Sequence, residues 1–341
     1  MTAVGWLPEG RNGGWIYRDR VQAAQAGLSV SAFYARRHPH SEVGVWRQRL
    51  AAGEIARNGR VLPLDVPLAA GDRLAWHRPP WCEPAVPRLP GPLFDDGDLV
   101  VFNKPSGLPV LPAGGFLEHT LLRQLERQVA AGELDGRPGA PRPVHRLGRF
   151  SSGLVLCARR ASSRAWLSAL LRESTAGGPG AAAPPSAGTC RKLYRALLQL
   201  PLPGSPLQAL APGASLHLTT PIGRRPHPRL GRLWCAAPGD PAALPASSRL
   251  TLLEQLPEGA LVEVAIATGR PHQIRIHTAA MGAPLLGDPL YGPGGGACSD
   301  ALPGEGGYRL HAHRVHLPLP EGGQLQLEAP LPAGLRGAAD G

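Results

Sequence analysis

Residues 143–160 read PVHRLGRFSSGLVLCARR, and the fold of the whole chain turns on how this stretch is understood. Its second half, GLVLCAR, is an apolar run of strand length, which predicts a buried strand over residues 153–159. Its first half sets His145, Arg146 and Arg149 around Gly148 and then turns through Ser151, Ser152 and Gly153. A cationic loop feeding a buried strand marks a candidate site, since functional groups are commonly carried on loops held by a rigid scaffold. Yet the loop holds no carboxylate, no thiol and no metal-ligand cluster, and Gly148 sits among its basic residues.

Working outward, the flanks alternate strands with a few helices. LVVF (99–102) reads as a buried strand ending in the Lys104-Pro105-Ser106-Gly107 turn. Leu117, Leu121, Leu125 and Val129 recur at helical spacing up to Gly132, and SSRAWLSALLRES carries a second apolar stripe. RKLYRALLQL predicts a strand, SRLTLLEQL and ALVEVAIAT a hairpin, TGRPHQIRIHTAAMG a turn and helix, and YRLHAHRVHLPLP another strand. The fold class expected is α+β: a mixed, mainly antiparallel sheet domain with flanking helices over 93–330. Residues 174–188, STAGGPGAAAPPSAG, are of low complexity and read as a mobile insertion. Upstream, two short helices, the second with Val43, Trp46, Leu50 and Ile55 near one face, and an Asn58-Gly59 hairpin turn predict a small α/β unit over about 21–80, within an N-terminal region of 1–80. The Pro-rich run at 81–92 reads as a linker.

A chain of 341 residues with 43% apolar residues is long enough for one or two packed cores, which excludes a disordered polymer. Of its 36 basic residues only Lys104 and Lys192 are lysine, leaving 34 arginines, a skew of the kind produced by a GC-rich genome. The net charge of +11 survives that skew and favours a polyanionic partner, with nucleic acid foremost. Five scattered cysteines form no CxxC pair, which points to a reducing compartment. With no apolar run of membrane-span length and no secretory leader pattern at the N-terminus, the expectation is a cytoplasmic protein without membrane partners.

The motifs for several chemistries are missing. No GxxxxGK[ST] or GxGxxG supports a nucleotide cofactor, and SSGL is not a nucleophile elbow. His311, His313 and His316 lie close in sequence, but no carboxylate completes a recognisable zinc spacing, so ordinary strand histidines are favoured over a metal-dependent nuclease.

Taken in order, NKPSGLPVLPAGG, VHRLGRFSSGLVLCAR, RKLYRAL, TGRPHQIRIHTAAMGAPLLGDPLYG and YRLHAHRVHLPLP resemble the RluA-type family of RNA pseudouridine synthases over roughly 93–330. The N-terminal unit is similar to the small alpha-L RNA-binding module of many members. The resemblance implies an enzyme that cuts the uridine glycosidic bond, rotates the uracil and rejoins it through carbon 5 without a cofactor or metal. It implies structured RNA, ribosomal or transfer, as the substrate, and a monomer is expected. By motif, Arg146 resembles the arginine that enters the RNA stack as the uridine flips out, a task suited to a planar cation. Tyr194 resembles the catalytic-site residue that stacks on the flipped base, and Arg275 the guanidinium that pairs with the catalytic carboxylate. Lys104, His145, Arg149, Arg270 and His272 complete the expected RNA-binding set.

One departure is sharp. The family's loop reads HRLD, and its aspartate is the catalytic residue, whereas this chain carries Gly148. Glycine supplies neither nucleophile nor base. Three explanations follow: another carboxylate has taken over, the site works poorly without one, or the chain is a non-catalytic RNA-binding relative. Asp95, Asp96, Asp98, Glu118 and Asp288 are the nearby acids. The first three are expected on a solvated turn, Glu118 at a helix start, and Asp288 in a structural role. The reading adopted is a synthase in which no residue fully replaces the lost group, slow or inactive on generic RNA and improved by Gly148→Asp.

Overall fold

The structure, a computed structural model, describes residues 5–173, 190–301, 306–319 and 322–340. The low-complexity segment at 174–188 lies outside the described residues. The chain divides into two compact units: Glu9–Pro84 with Pro226–Leu233, and the remainder.

The larger unit is built on a ten-stranded sheet. Its strands run in the order Ser215–Leu218, Ser248–Leu256, Gly259–Ile266, Arg191–Leu198, Leu310–Pro318, Ser152–Ala158, Leu99–Lys104 and Phe94–Asp95. Arg142–Pro143 and Gln324–Glu328 pair alongside. Neighbours are antiparallel except Ser152–Ala158 and Leu310–Pro318, which meet in parallel through Ser152 opposite His311 and Gly153 opposite Ala312.

The unbroken apolar run GLVLCA is explained by cover on both faces of its strand. Val155 and Cys157 point with Val100 and Phe102 toward the Leu121–Ala130 helix, where Leu121 and Leu125 are fully buried. Leu154 and Leu156 point the other way, with Val101, onto Leu167 and Leu171 of the Ala161–Glu173 helix. A strand covered twice has no need of the polar alternation seen when one face meets water. Each buried Leu or Val here contributes about 1.5–3 kcal/mol, and Leu167→Ala is expected to cost about 2–5 kcal/mol because the pocket cannot fully collapse.

The smaller unit pairs strands Trp15–Arg20, Arg73–Arg78, Ile55–Arg57 and Arg60–Val61, and packs helices Val30–Arg37 and Val43–Ala51 against them. Ser29 caps the first helix by accepting from the Ala32 N–H. Asn58 and Gly59, both at positive φ, form the expected hairpin turn. The core is aromatic: Tyr34, Trp46 and Trp76 are in ring contact, with Leu50 and Ile55 buried beside them. Three details differ from the sequence expectation. Ile55 belongs to a strand, not to the preceding helix; Trp15–Arg20 is a strand whose mixed composition hid it; and the Pro-rich run at 81–92 buries Val86 and Leu89, so it packs instead of hanging free.

Candidate active site

The HRLG loop is positioned by the crossing of two strands. Gly153 has φ +101, and a β-carbon there would overlap the Ala312 backbone, so only glycine allows the two strands to approach this closely. Ser152 Oγ lies 2.9 Å from His311 Nδ1 at the same crossing. This brings the loop before Ser152 beside the chain entering Leu310–Pro318, some 160 residues later in sequence.

The loop itself is tied down at three points. His145 Nε2 accepts the Leu156 N–H at 3.0 Å. Arg149 donates from Nε to the Gly107 carbonyl at 3.0 Å, and its own carbonyl accepts the Gly107 N–H at 2.9 Å. Ser106 Oγ donates to the Phe150 carbonyl at 2.8 Å. The Arg149 guanidinium also lies 4.6 Å from the centre of the Phe116 ring.

Two expected RNA contacts receive different tasks. Lys104 is fully buried, and its ammonium donates to the carbonyls of Pro105, Leu108 and Arg149 at 2.8–2.9 Å. Three N–H groups meet three carbonyls, so Lys104 clamps the NKPSG turn to the HRLG loop and offers RNA nothing. Burial, aided by the neighbouring Arg149 charge, pushes its pKa well down. His145 is likewise a brace. Burial, with a smaller contribution from Lys192, lowers its pKa to about 4, and its Nε2 is spent on the backbone, so it stays neutral at physiological pH.

Facing the loop, the Gln273–Ala280 helix is fixed by its own polar residues. Gln273 accepts from Thr268 Oγ1 and the Arg270 N–H, and donates to the Ser247 carbonyl and Ser248 Oγ. Arg270 donates from Nε to the Pro245 carbonyl at 2.9 Å. His272, at the helix start, holds φ 58 and ψ 18, a left-handed conformation uncommon outside glycine and asparagine. Its Nδ1 lies 2.7 Å from Tyr291 Oη, which donates to the Trp234 carbonyl at 2.7 Å. With the phenol proton so directed, Nδ1 carries the ring proton and Nε2 keeps its lone pair. Burial first, then Arg275, lowers the His272 pKa to about 4.

Arg275 is buried and forms a two-pronged pair with Asp288, Nε to Oδ2 and Nη2 to Oδ1, both at 2.7 Å. Its guanidinium lies 4.2 Å from the Tyr308 ring centre and 4.9 Å from that of Tyr291. Asp288 Oδ1 also accepts the backbone N–H groups of Leu290 and Tyr291. The anion that Arg275 requires is therefore Asp288, which the sequence assigned only a structural part. Four N–H groups fix that carboxylate in place, three of them on Oδ1 and one on Oδ2.

The other acids are equally engaged. Asp95 forms a two-pronged pair with Arg159, whose side chain is fully shielded, so it is not merely a solvated turn residue. Asp96 accepts the N–H groups of Asp98 and Leu99, Asp98 binds Ser163 and the Arg160 N–H, and Glu118 pairs with Arg127 at 2.8 Å. Gly148 itself is exposed and not at positive φ, and a β-carbon there would overlap the hydroxyl of Tyr308. Single restoration by Gly148→Asp, expected from sequence to help, thus meets a steric obstacle.

Tyr194 packs, with Phe150, against the apolar cluster that also holds Ile274 and Tyr308. It lines a small pocket with His145, Leu156, Lys192, Ala312 and Arg314, and burial raises its pKa to about 12. Arg146 is exposed on the same loop, between the braced His145 and Arg149. Sequence reasoning missed Tyr308 and Tyr291. The only available signal was the glycine in HRLG, which asks what fills the missing volume.

The fold is that of pseudouridylate synthases: the solved structure titled Human RNA Pseudouridylate Synthase Domain Containing 4 superposes with a TM-score of 0.50 at 23% identity, covering 72% of this chain and 90% of that one. The sequence family described as RNA pseudouridylate synthase matches residues 98–280. An uncharacterised RNA pseudouridine synthase of Synechocystis is 40% identical over 306 residues, covering 88% of this chain and 93% of that protein. RNA pseudouridine synthase 5 of Arabidopsis thaliana is 37% identical over 359 residues, covering 94% of each chain. The ribosomal large subunit pseudouridine synthase D of Neisseria meningitidis is 32% identical over 248 residues, covering 70% of this chain and 58% of that protein. This chain belongs to the RNA pseudouridylate synthase family, of RluA type, and is an RNA-modifying isomerase.

Proposed function

We propose that this enzyme isomerises specific uridines in structured ribosomal or transfer RNA, flipping the target base into the space between the HRLG loop and the Gln273–Ala280 helix. The observation that carries this reading is the contrast within the loop. His145 and Arg149 are bonded to the scaffold, while Arg146 between them is exposed. A cation held out on a fixed base suits replacement of a lost stacking partner and contact with phosphate. Arg270 and His272 flank the same helix start, and Tyr194 is the candidate surface for the flipped base.

The N-terminal unit is the candidate RNA-docking module. On its sheet, Arg20 stands directly opposite Arg73, with Arg18 and His77 exposed on the same face. Like charges opposed across strands repel, so such a face gains from a polyanion. The reading is tested by mapping pseudouridine in ribosomal and transfer RNA from cells with and without the gene. Loss of one or a few sites supports it, and an unchanged map overturns it. Arg20→Glu with Arg73→Glu is expected to weaken RNA binding and flatten its salt slope by roughly two units on a log–log plot.

A further inference from the structure

We propose that the hydroxyl of Tyr308 is the catalytic group in this site, standing where the missing aspartate would be; the inference rests on the synthase reading above and deepens it. The geometry is specific. The Tyr308 oxygen occupies the volume that any β-carbon at position 148 would need, directly against the bare α-carbon of an exposed loop residue. The ring is buried, held edge-on by Phe150 at 6.1 Å and beneath the Arg275 guanidinium at 4.2 Å. Ser151 Oγ donates weakly to the hydroxyl at 3.4 Å, but among the described residues nothing accepts the phenol proton. A buried hydroxyl whose donor is unclaimed is costly unless a ligand completes it. The acids near the motifs are engaged by other partners, so among the described residues the phenol is the oxygen acid set against Gly148.

The chemistry closes without a cofactor. A lone pair on the Tyr308 oxygen forms a bond to C1′ of the flipped uridine as the C1′–N1 bond breaks. The bond's electron pair leaves on the uracil, and the phenol proton passes to that departing base. After the uracil turns, its C5 attacks C1′ and the C1′–O bond breaks, returning the pair to the phenol oxygen. The C5 proton then restores the hydroxyl. Tyrosine serves as the glycosyl-accepting nucleophile in one class of glycosidases, so the step is within its reach. Arg275 above the ring stabilises negative charge as it develops on the oxygen.

The structure supplies its own control. In Tyr308→Phe the ring's terminal carbon would lie 3.5 Å from a β-carbon at 148, an ordinary contact, so the double variant Gly148→Asp/Tyr308→Phe fits where Gly148→Asp alone does not. Purified wild type, Tyr308→Phe and the double variant are compared by single-turnover pseudouridine formation, RNA affinity and thermal unfolding on RNA drawn from cells lacking the gene. Tyr308→Phe is expected to fold and bind RNA as wild type does while losing at least 100-fold in rate. The double variant is expected to regain at least tenfold of that loss. A Tyr308→Phe rate within threefold of wild type overturns the inference and leaves the synthase reading intact. So does a loss no larger than the loss of folded protein. A wild-type protein with no turnover on that RNA overturns the synthase reading itself, and this inference with it.

Discussion

Lys104 and Arg275 are both buried cations carried by motifs, one at a strand end and one on a helix, and they are satisfied in opposite ways. Lys104 is surrounded by three neutral carbonyls, a number that matches its three N–H groups, and nothing is left over for a ligand. Arg275 is met by a carboxylate through two hydrogen bonds and lies over two tyrosine rings, with that of Tyr308 reaching on toward Gly148. One cation closes a turn, whereas the other organises a site. Side-chain type alone does not separate the two roles, because both residues sit in motifs and both are positive. The separation comes from what the surrounding backbone offers.

The contrast can be broken most forcefully at Asp288. Asp288→Asn leaves Arg275 as a buried charge without its counter-ion, and the cost expected is about 3–5 kcal/mol, read as a lowered denaturation midpoint in urea. A change under about 1 kcal/mol would mean that the rings alone satisfy the guanidinium. Lys104→Met tests the other side. It strands carbonyls in a dry interior and is expected to cost about 1–3 kcal/mol, while the salt dependence of RNA binding stays as in wild type. A flattened salt slope would return Lys104 to the RNA surface.

Titration sharpens the account in a third way. His145 and His272 are held neutral, with pKa values lowered to about 4 by burial, whereas in the unfolded chain they titrate near the usual histidine value of about 6.5. The unfolded state therefore takes up more protons, and stability is full above pH about 6.5 and declines as pH falls through that value toward 4. His145→Gln should make unfolding free energy less steep between pH 6.5 and 4.5, and an unchanged slope would argue that the ring is already charged in the folded protein. The smallest effect on stability is expected at Arg146. Arg146→Ala should shift unfolding by no more than about 0.5 kcal/mol, yet abolish modification in single turnover. A large loss of stability there would make it a brace like His145.

Much of the scaffold was legible because its periodicities are local. The doubly covered strand at Ser152–Ala158, the Leu121–Ala130 helix and the Asn58-Gly59 turn all announce themselves within a dozen residues. The Trp15–Arg20 strand did not, since its side chains mix Trp, Ile and Tyr with three charges and follow no clean alternation. The site divides in the same manner. Arg275 and His272 share one turn and were found together, but their partners Asp288, Tyr291 and Tyr308 arrive from later segments. The Gly148–Tyr308 contact depends on a parallel strand crossing that joins residues about 160 apart, and no periodicity encodes that. Lys104 was misassigned because the three carbonyls around it belong to backbone, which sequence does not display.

The central claim is that a member of this family with glycine in place of the motif aspartate still isomerises uridine. It is tested most directly by incubating the purified full-length protein with ribosomal and transfer RNA from cells lacking the gene and sequencing for pseudouridine. The expected result is new pseudouridine at one or a few defined positions, formed by wild type and not by Arg146→Ala. RNA that binds tightly yet emerges with no new pseudouridine would contradict the account and leave the chain an RNA-binding relative without turnover.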